Sequence, residues 1–337
     1  MTTLFNKTVE KYKATNRLMN VIFEVTHRCP CDCIHCFLVK ERDNELTTEE
    51  IIILFKQLQD EGVLTLTLTG GEPFLRDDIS QILYSAREKQ FFISILTTGI
   101  LIDHAEVNLI NETGVSDIEI SLLGSNSDTH DTIMRCPGAF NRMLRAVKLM
   151  RNEDINIKLK STIMKQNYKE LPDMAKLAQK YDVHFSASVV ISPRVNGDTS
   201  ILELSLNNDE ISRLDPDLIN EGLIPGEVRG NGAILTCNAG KINASISPQG
   251  DVYPCVIMRH DLGNIRNIDI NNIWHFNPDP FLMELRDLKD EGVYECYSCN
   301  YNKGCYRCPG IAYTETKKLV ASVPSVCKNI IGKILEK

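Results

Sequence analysis

The sequence predicts an α/β fold: a partial (β/α)6 TIM-type barrel over residues 20–192, followed by a small cysteine-rich domain over residues 233–337. Three observations lead there. Short runs of β-branched and aromatic residues alternate with helical stretches from residue 20 to about 191. That rhythm then stops in a segment rich in proline and glycine. Finally, eight of the twelve cysteines fall in two tight groups, four from Cys29 to Cys36 and four from Cys296 to Cys308.

Taken in order, residues 1–19 form a polar N-terminal lead, and Met1 to Arg17 lacks the apolar core of a secretory signal peptide. Strands are expected at 20–26, 63–69, 91–97, 116–123, 155–162 and 183–191. The clearest helix between them runs over 48–61. Thr47 and Glu50 form a capping-box pattern, Ile51, Ile52, Leu54, Phe55 and Leu58 form an apolar face, and Gly62 ends it. A second helix covers 168–180, and Met143, Leu144, Val147, Leu149 and Met150 read as core packed on the sheet. Repeated βα units imply a parallel sheet with right-handed crossovers. Six strands fall short of the eight of a closed barrel, so an open barrel is expected, with ligands at the C-terminal strand ends.

Residues 193–232, with Pro193, Gly197, Pro216, Pro225, Gly226, Gly230 and Gly232, form a bridging region. Beyond it a hairpin is expected over 242–257, turning at Pro248-Gln249-Gly250-Asp251, and a helix near 272–289. The remaining tail has little hydrophobic periodicity, so metal binding is expected to supply its folding free energy.

A length of 337 residues suits about two domains, and 43% hydrophobic residues allow a sizeable core. A net charge of −8, without a run of Lys and Arg, argues against nucleic acid as a partner. No apolar stretch approaches the roughly 20 residues of a membrane helix. A cytoplasmic protein without membrane attachment is therefore expected. Twelve cysteines in such a chain read as metal-binding or catalytic, not as a disulfide framework.

Cys29, Cys33 and Cys36 form a C-x3-C-x2-C array directly after the apolar run Val21-Ile22-Phe23-Glu24-Val25. Iron–sulfur clusters usually take four cysteine ligands. Three thiolates leave one iron for a substrate or cofactor, as a catalytic metal keeps one position open. The alternative is a zinc site using Cys29, Cys31, Cys33 and Cys36. The second strand ends in Thr69-Gly70-Gly71-Glu72-Pro73.

Together, the three-cysteine loop and the Gly-Gly-Glu-Pro turn, in this order and on strand ends, resemble the radical SAM superfamily over residues 18–192. The resemblance implies that Cys29, Cys33 and Cys36 hold a [4Fe–4S] cluster whose fourth iron binds S-adenosylmethionine. It implies that Gly70, Gly71, Glu72 and Pro73 contact the methionyl amine, glycine allowing close backbone approach and a carboxylate or carbonyls accepting from the ammonium. Phe37 would pack near the adenine. Ser121, Lys160 and Arg135 are further candidate contacts, each with a solvated or sheet-satisfied polar residue as the alternative. Thr97-Thr98-Gly99 ends the third strand where relatives often carry Thr-Asn-Gly.

The remaining cysteines run Cys237, Gly250, Cys255, then Cys296, Cys299, Cys305, Cys308 and Cys327. This order resembles the SPASM domain, the cysteine-rich extension of radical SAM enzymes that modify peptides and proteins. One spacing departs from it: Cys305 and Cys308 are separated by two residues where the family has three. Carried over, Cys237, Cys255 and Cys308 would bind a first auxiliary [4Fe–4S] cluster, and Cys296, Cys299, Cys305 and Cys327 a second. The alternative for the tail is a zinc ribbon of Cys296, Cys299, Cys305 and Cys308. Cys31 is left out of the ligand set. Cys136 is a candidate hydrogen-atom donor to a substrate radical, or a small buried hydrophobe. His27 and His35 read as hydrogen-bonding or packing residues.

The resemblance implies an enzyme: a maturase that abstracts hydrogen from a residue of a ribosomal precursor peptide, its auxiliary clusters aiding oxidation or cross-linking. Ser121-Leu122-Leu123-Gly124, Thr129-His130-Asp131 and the stretch from Ser161 to Asn167 look like peptide-maturase sequences. The alternatives are a formylglycine-forming sulfatase maturase, a haem or quinone cofactor-pathway enzyme, and a non-catalytic zinc or electron-carrier protein. The expected partners are the precursor peptide and an electron donor such as flavodoxin or ferredoxin. The short lead has no room for a winged-helix peptide-recognition domain, so a separate leader-peptide-binding protein is a further candidate.

Overall fold

The computed structural model describes residues 4–39, 43–211, 213–215, 237–288, 308–319 and 321–323. Its centre is an eight-stranded sheet of β1 (Asn20–Thr26), β2 (Thr65–Gly70), β3 (Phe92–Thr97), β4 (Asp117–Ser121), β5 (Ile157–Thr162), β6 (His184–Ser188), β7 (Asn243–Ile246) and β8 (Val252–Tyr253). The spatial order is β6-β5-β4-β3-β2-β1-β7-β8. Every neighbouring pair is parallel except the β7–β8 hairpin. Among the described residues β6 and β8 are the two edges, so the barrel they form is open, as its six βα units predict.

The expected boundary between residues 192 and 233 does not interrupt the sheet. The hairpin assigned by sequence to the C-terminal domain lies on the free edge of β1, with Asn20 opposite Asn243 and Phe23 opposite Ile246. A parallel edge next to a strand this apolar needs a partner, and the hairpin supplies one.

The helices are α1 (Leu4–Ala14), α2 (Thr48–Glu61), α3 (Ile79–Glu88), α4 (His104–Thr113), α5 (Ser127–Met134), α6 (Ala139–Asn152), α7 (Leu171–Lys180), the single turn α8 (Asn208–Ile211), α9 (Pro280–Asp287) and α10 (Pro309–Thr316). α2 has the predicted bounds. Thr47 Oγ1 accepts from Glu50 N at 3.3 Å, Glu50 Oε2 accepts from Thr47 N at 2.8 Å, and Gly62 closes the helix at φ +81°. Ile51, Leu54, Phe55 and Leu58 are buried, but Ile52, expected beside them, faces out. The helix expected at 272–289 is broken into a π-type turn, Asn272–Phe276, and α9, because Pro280 cannot continue a helix begun upstream. α1 has no buried residue and lay hidden in a lead that reads as merely polar.

The two faces of the sheet differ. Val21, Phe23, Leu66, Leu68, Ile93, Ile95, Ile118, Ile120, Ile157 and Leu159 are buried, with Phe23, Phe55 and Phe91 stacked edge to face at 6.2 and 5.9 Å. The alternate positions, such as Thr67, Thr69, Glu119, Ser121, Lys158, Lys160 and Thr162, are polar and half-buried. A closed barrel fills this inner face with layers of branched apolar side chains. Here that face is polar.

Candidate active site

The loop after β1 carries Cys29, Cys31, Cys33 and Cys36 and is tied down along its length. Gly71 N donates to Thr26 O at 2.8 Å and Glu72 N to Arg28 O at 2.9 Å. Asp32 N and Ile34 N donate to Met134 O and Ile133 O at the end of α5, at 3.1 and 3.0 Å. Arg194 Nη1 donates to Cys36 O at 2.7 Å and Val195 N to Phe37 O at 2.9 Å, so the chain beyond β6 latches onto the loop.

Cys29, Cys33 and Cys36 are half-buried, whereas Cys31 is 2% exposed. Cys31 packs with Cys136, Ile100, Leu123 and Met134. A hydrogen bond with Cys29 and burial hold its thiol well above the ordinary range. A four-thiolate zinc site would require Cys31 to turn outward. Among the described residues no three His, Cys, Asp or Glu side chains close on a single ion. Phe37, Cys29, Cys33 and Ile34 all border the apolar group that buries Cys31.

The Gly-Gly-Glu-Pro turn abuts this loop, backbone against backbone. A Cβ on Gly70 would stand 2.2 Å from Thr26 O, and one on Gly71 2.2 Å from Arg28 O. The glycines are thus required by the neighbouring loop itself. Glu72 is fully buried and its carboxylate faces inward. It accepts from Thr97 Oγ1 at 2.7 Å, from Thr98 N at 2.8 Å, and from Thr98 Oγ1 and Phe74 N. Burial raises its pKa and these bonds offset part of that. They commit the carboxylate to β3, which explains the threonine pair that ends this strand. Pro73, also buried, opens a single 3-10 turn.

Ser121, the last residue of β4, and Lys160, within β5, are register partners. Lys160 Nζ lies 3.2 Å from Glu119 Oε2, whose other oxygen takes Lys158 at 3.3 Å. Arg135 caps α5 at φ +48° and pairs with Asp32 of the cysteine loop at 3.1 Å. Both ends of that pair are exposed, so it adds little stability. Cys136 is 7% exposed and takes a hydrogen bond from Arg142 at 3.3 Å. Its surroundings are those of a buried small side chain. The stretches around Ser121, His130 and Asn167 form one scaffold. Leu123 N donates to His130 Nδ1 at 3.1 Å, and Asn167 Nδ2 donates to Leu123 O and Thr162 O at 3.1 and 3.0 Å.

Burial lowers His130 to about 4 from its ordinary 6.5. The folded state thus holds the neutral ring. Its contribution is complete above the unfolded value and is lost as pH falls from 6.5 toward 4. Across that window, one proton at about 1.4 kcal/mol per pH unit amounts to about 3 kcal/mol. Burial also lowers His35 to about 4, so urea titrations of the cluster-free chain should show a slope from both rings, and His130→Gln should remove the His130 share of it.

Several residues of the site escaped the sequence reading. Arg76 is 7% exposed and clamps three segments. It donates to Asp78 at 2.8 and 2.7 Å, to Val25 O at 2.9 Å and to Leu46 O at 3.0 Å. Glu45 accepts from Thr26 Oγ1 at 2.6 Å and from His27 N at 3.2 Å. Glu24, in the middle of β1, is buried with Arg259 and His27 against its carboxylate. The only local signals were a lone Arg three residues past Pro73 and a lone Glu within an apolar strand. Arg76→Met should destabilise the chain by about 3 kcal/mol, the low end for breaking a buried ion pair, since Asp78 keeps some solvent. Arg76→Lys should recover only part, because an ammonium cannot reproduce the two-pronged bond. Chemical denaturation measures both.

Of the auxiliary cysteines, Cys237, Cys255 and Cys308 are brought together. All three are half-buried, and burial pushes the Cys255 thiol up to about 12, with Cys237 and Cys308 adding to it as charged neighbours. Burial also raises Cys237. Cys296, Cys299, Cys305 and Cys327 lie outside the described residues. No helix among the described residues is long and apolar enough to cross a membrane.

Comparison with known proteins bears on both halves of the chain. Residues 23–178 match the radical SAM superfamily, and residues 237–309 match the SPASM iron–sulfur cluster-binding domain. The AdoMet-dependent heme synthase of Methanosarcina barkeri is 26% identical over 92% of this chain and 96% of its own. The PqqA peptide cyclase of Granulibacter bethesdensis is 31% identical over 48% of this chain and 44% of its own, so that match spans less than half of the cyclase. Streptococcus suis SuiB bound to S-adenosylmethionine superposes with a TM-score of 0.74 at 19% identity, covering 95% of this chain and 80% of that one. The same protein bound to its precursor peptide SuiA gives 0.69 at 21% identity, covering 96% and 79%. The chain carries a radical SAM domain, which places it in the radical SAM class of enzymes. Within it, this chain is of the kind that carries a C-terminal SPASM domain, and so pairs S-adenosylmethionine with iron–sulfur chemistry.

Proposed function

We propose that the chain is a maturase that oxidises or cross-links a ribosomally made precursor peptide. The observation that carries this reading is the polar face of the sheet, which runs between the edge strands β6 and β8 of the described residues and ends at the cysteine loop. Rows of Thr, Ser, Glu and Lys offer the donors and acceptors that a peptide backbone needs when it leaves water. The resemblance to proteins named as a peptide cyclase and a precursor-peptide-bound SuiB supports the same reading.

In this proposal Cys29, Cys33 and Cys36 hold the S-adenosylmethionine cluster, and the donor set fits: three half-exposed thiols in one anchored loop, the fourth withdrawn. When bound, the cluster and S-adenosylmethionine would supply radical chemistry able to remove a hydrogen atom from the substrate. With the Glu72 carboxylate committed to Thr97 and Thr98, the backbone carbonyls of the Gly70-Gly71 turn are left to accept from the methionyl ammonium. Phe37 lines the adenine side, and Ser121, Lys160 and Arg135 stand as polar contacts around the site. Cys237, Cys255 and Cys308 hold one auxiliary cluster, and Cys296, Cys299, Cys305 and Cys327 a second. A cytoplasmic reductant such as flavodoxin or ferredoxin feeds the enzyme, and a separate protein presents the leader peptide. Cys136 fits packing better than hydrogen-atom donation.

A second reading, a step on a haem precursor, is favoured by one observation: the match to the heme synthase runs over nearly the whole of both chains. Anaerobic enzyme, S-adenosylmethionine, reductant and a peptide encoded beside the gene should yield 5′-deoxyadenosine and a peptide lighter by two hydrogens. An unchanged peptide alongside a converted haem precursor would establish the second reading instead.

A further inference from the structure

We propose that Arg259 is a positioning residue that fixes the Cys255 loop against the Cys29 loop through Glu24 and His27; the inference rests on the reading that both loops hold clusters. Cys255 Sγ accepts from Met258 N at 3.3 Å, which folds the loop back and delivers Arg259 toward β1. There Arg259 Nη2 meets Glu24 Oε1 at 2.5 Å, 235 residues away in sequence. The other carboxylate oxygen, Glu24 Oε2, lies 3.3 Å from His27 Nε2, two residues ahead of Cys29. The side chains of Glu24, His27 and Arg259 are 1%, 8% and 12% exposed.

Three physical features make this a positioning device. Glu24 sits in a strand flanked on both sides by others, so its carboxylate is held by the stiffest part of the fold. The Arg259 guanidinium also lies over the Tyr253 ring at 4.8 Å, in the hairpin beside β1, so it is held from a second direction. Arg259 Nε and His27 Nδ1 are buried without partners among the described residues. Neither atom adds a second hydrogen bond, so the Glu24 carboxylate carries the polar link between the two loops. Apolar side chains of similar volume would serve stability as well as a buried ion pair. What the pair adds is direction, because a charge-assisted hydrogen bond constrains angle as well as distance.

The test is hydrogen–deuterium exchange on the full chain, before and after cluster loading. In Arg259→Met, amides of residues 28–37 should exchange about tenfold faster while α2 and α6 keep their protection. Arg259→Lys should restore most of the protection, and Glu24→Gln, which keeps shape and acceptor, carries the test if the methionine variant does not fold. In loaded enzyme the same variants should raise the share of S-adenosylmethionine cleaved without product. Unchanged exchange over 28–37, or a rise shared equally by α2 and α6, would overturn the proposal. Failure of wild-type protein to bind iron at Cys29, Cys33 and Cys36 would instead sink the underlying reading, and the exchange result would be independent of it.

Discussion

Replacing Cys29, Cys33 or Cys36 by alanine should reduce S-adenosylmethionine cleavage by at least about 100-fold, since changes to groups that merely support a metal ligand already cost up to that much. Cys31→Ala should retain activity within about twofold, because it removes no proposed ligand, and should lower stability by only about 1 kcal/mol, the worth of one buried small group. Four thiols share eight residues of one loop, and only burial separates them: Cys31 lies at 2% exposure among Leu123, Met134 and Cys136, the other three at the loop surface. Iron per chain and 5′-deoxyadenosine formed under anoxic reduction measure both halves of this contrast. If Cys31→Ala silences the enzyme while one of the other three does not, the proposed ligand set is wrong.

Gly71→Ala should be the most damaging substitution outside the cysteines. Its new methyl would sit 2.2 Å from Arg28 O and 2.7 Å from Arg28 C, both backbone atoms that cannot rotate away. The turn and the cysteine loop must then separate, breaking Gly71 N to Thr26 O and Glu72 N to Arg28 O. Overpacking costs about 1–3 kcal/mol and sometimes more. With two hydrogen bonds lost at about 1 kcal/mol each, a drop of about 4 kcal/mol is expected. Iron content should fall with it, because the loop that presents the thiols loses its anchor. Gly70→Ala adds backbone strain to a similar clash, since Gly70 has φ +122°. Gly138, at φ +77° and with open space for 4 Å around the position a methyl would take, is the control that isolates strain from collision. Denaturation midpoints and iron analysis of the three alanine variants separate the two effects.

Both predictions show where sequence was informative. The α2 boundaries follow from Thr47, Glu50 and Gly62, three residues whose caps act within one turn. The strands follow from alternation, visible in Thr65–Gly70 and Ile157–Thr162 because only one face is apolar. That same alternation carried a second message, a polar inner face, which becomes legible only once strand register places Glu119 beside Lys158 and Ser121 beside Lys160. The role of the Gly-Gly pair was readable as a need for close approach, but what approaches is the Arg28 carbonyl, from a loop some forty residues earlier.

By itself the sequence determined the order of strands along the chain, the three-cysteine loop on the first strand end, and the grouping of later cysteines into a second cysteine-rich region. These are local properties, written in spacing, caps and periodicity. Only the tertiary structure decided that Cys31 is the withdrawn thiol, that the Asn243–Tyr253 hairpin completes the sheet, that Arg76 joins three segments, and that Arg259 reaches Glu24. Such contacts depend on strand order and register, which bring residues hundreds of positions apart to within a hydrogen bond, and no short window of sequence contains both ends.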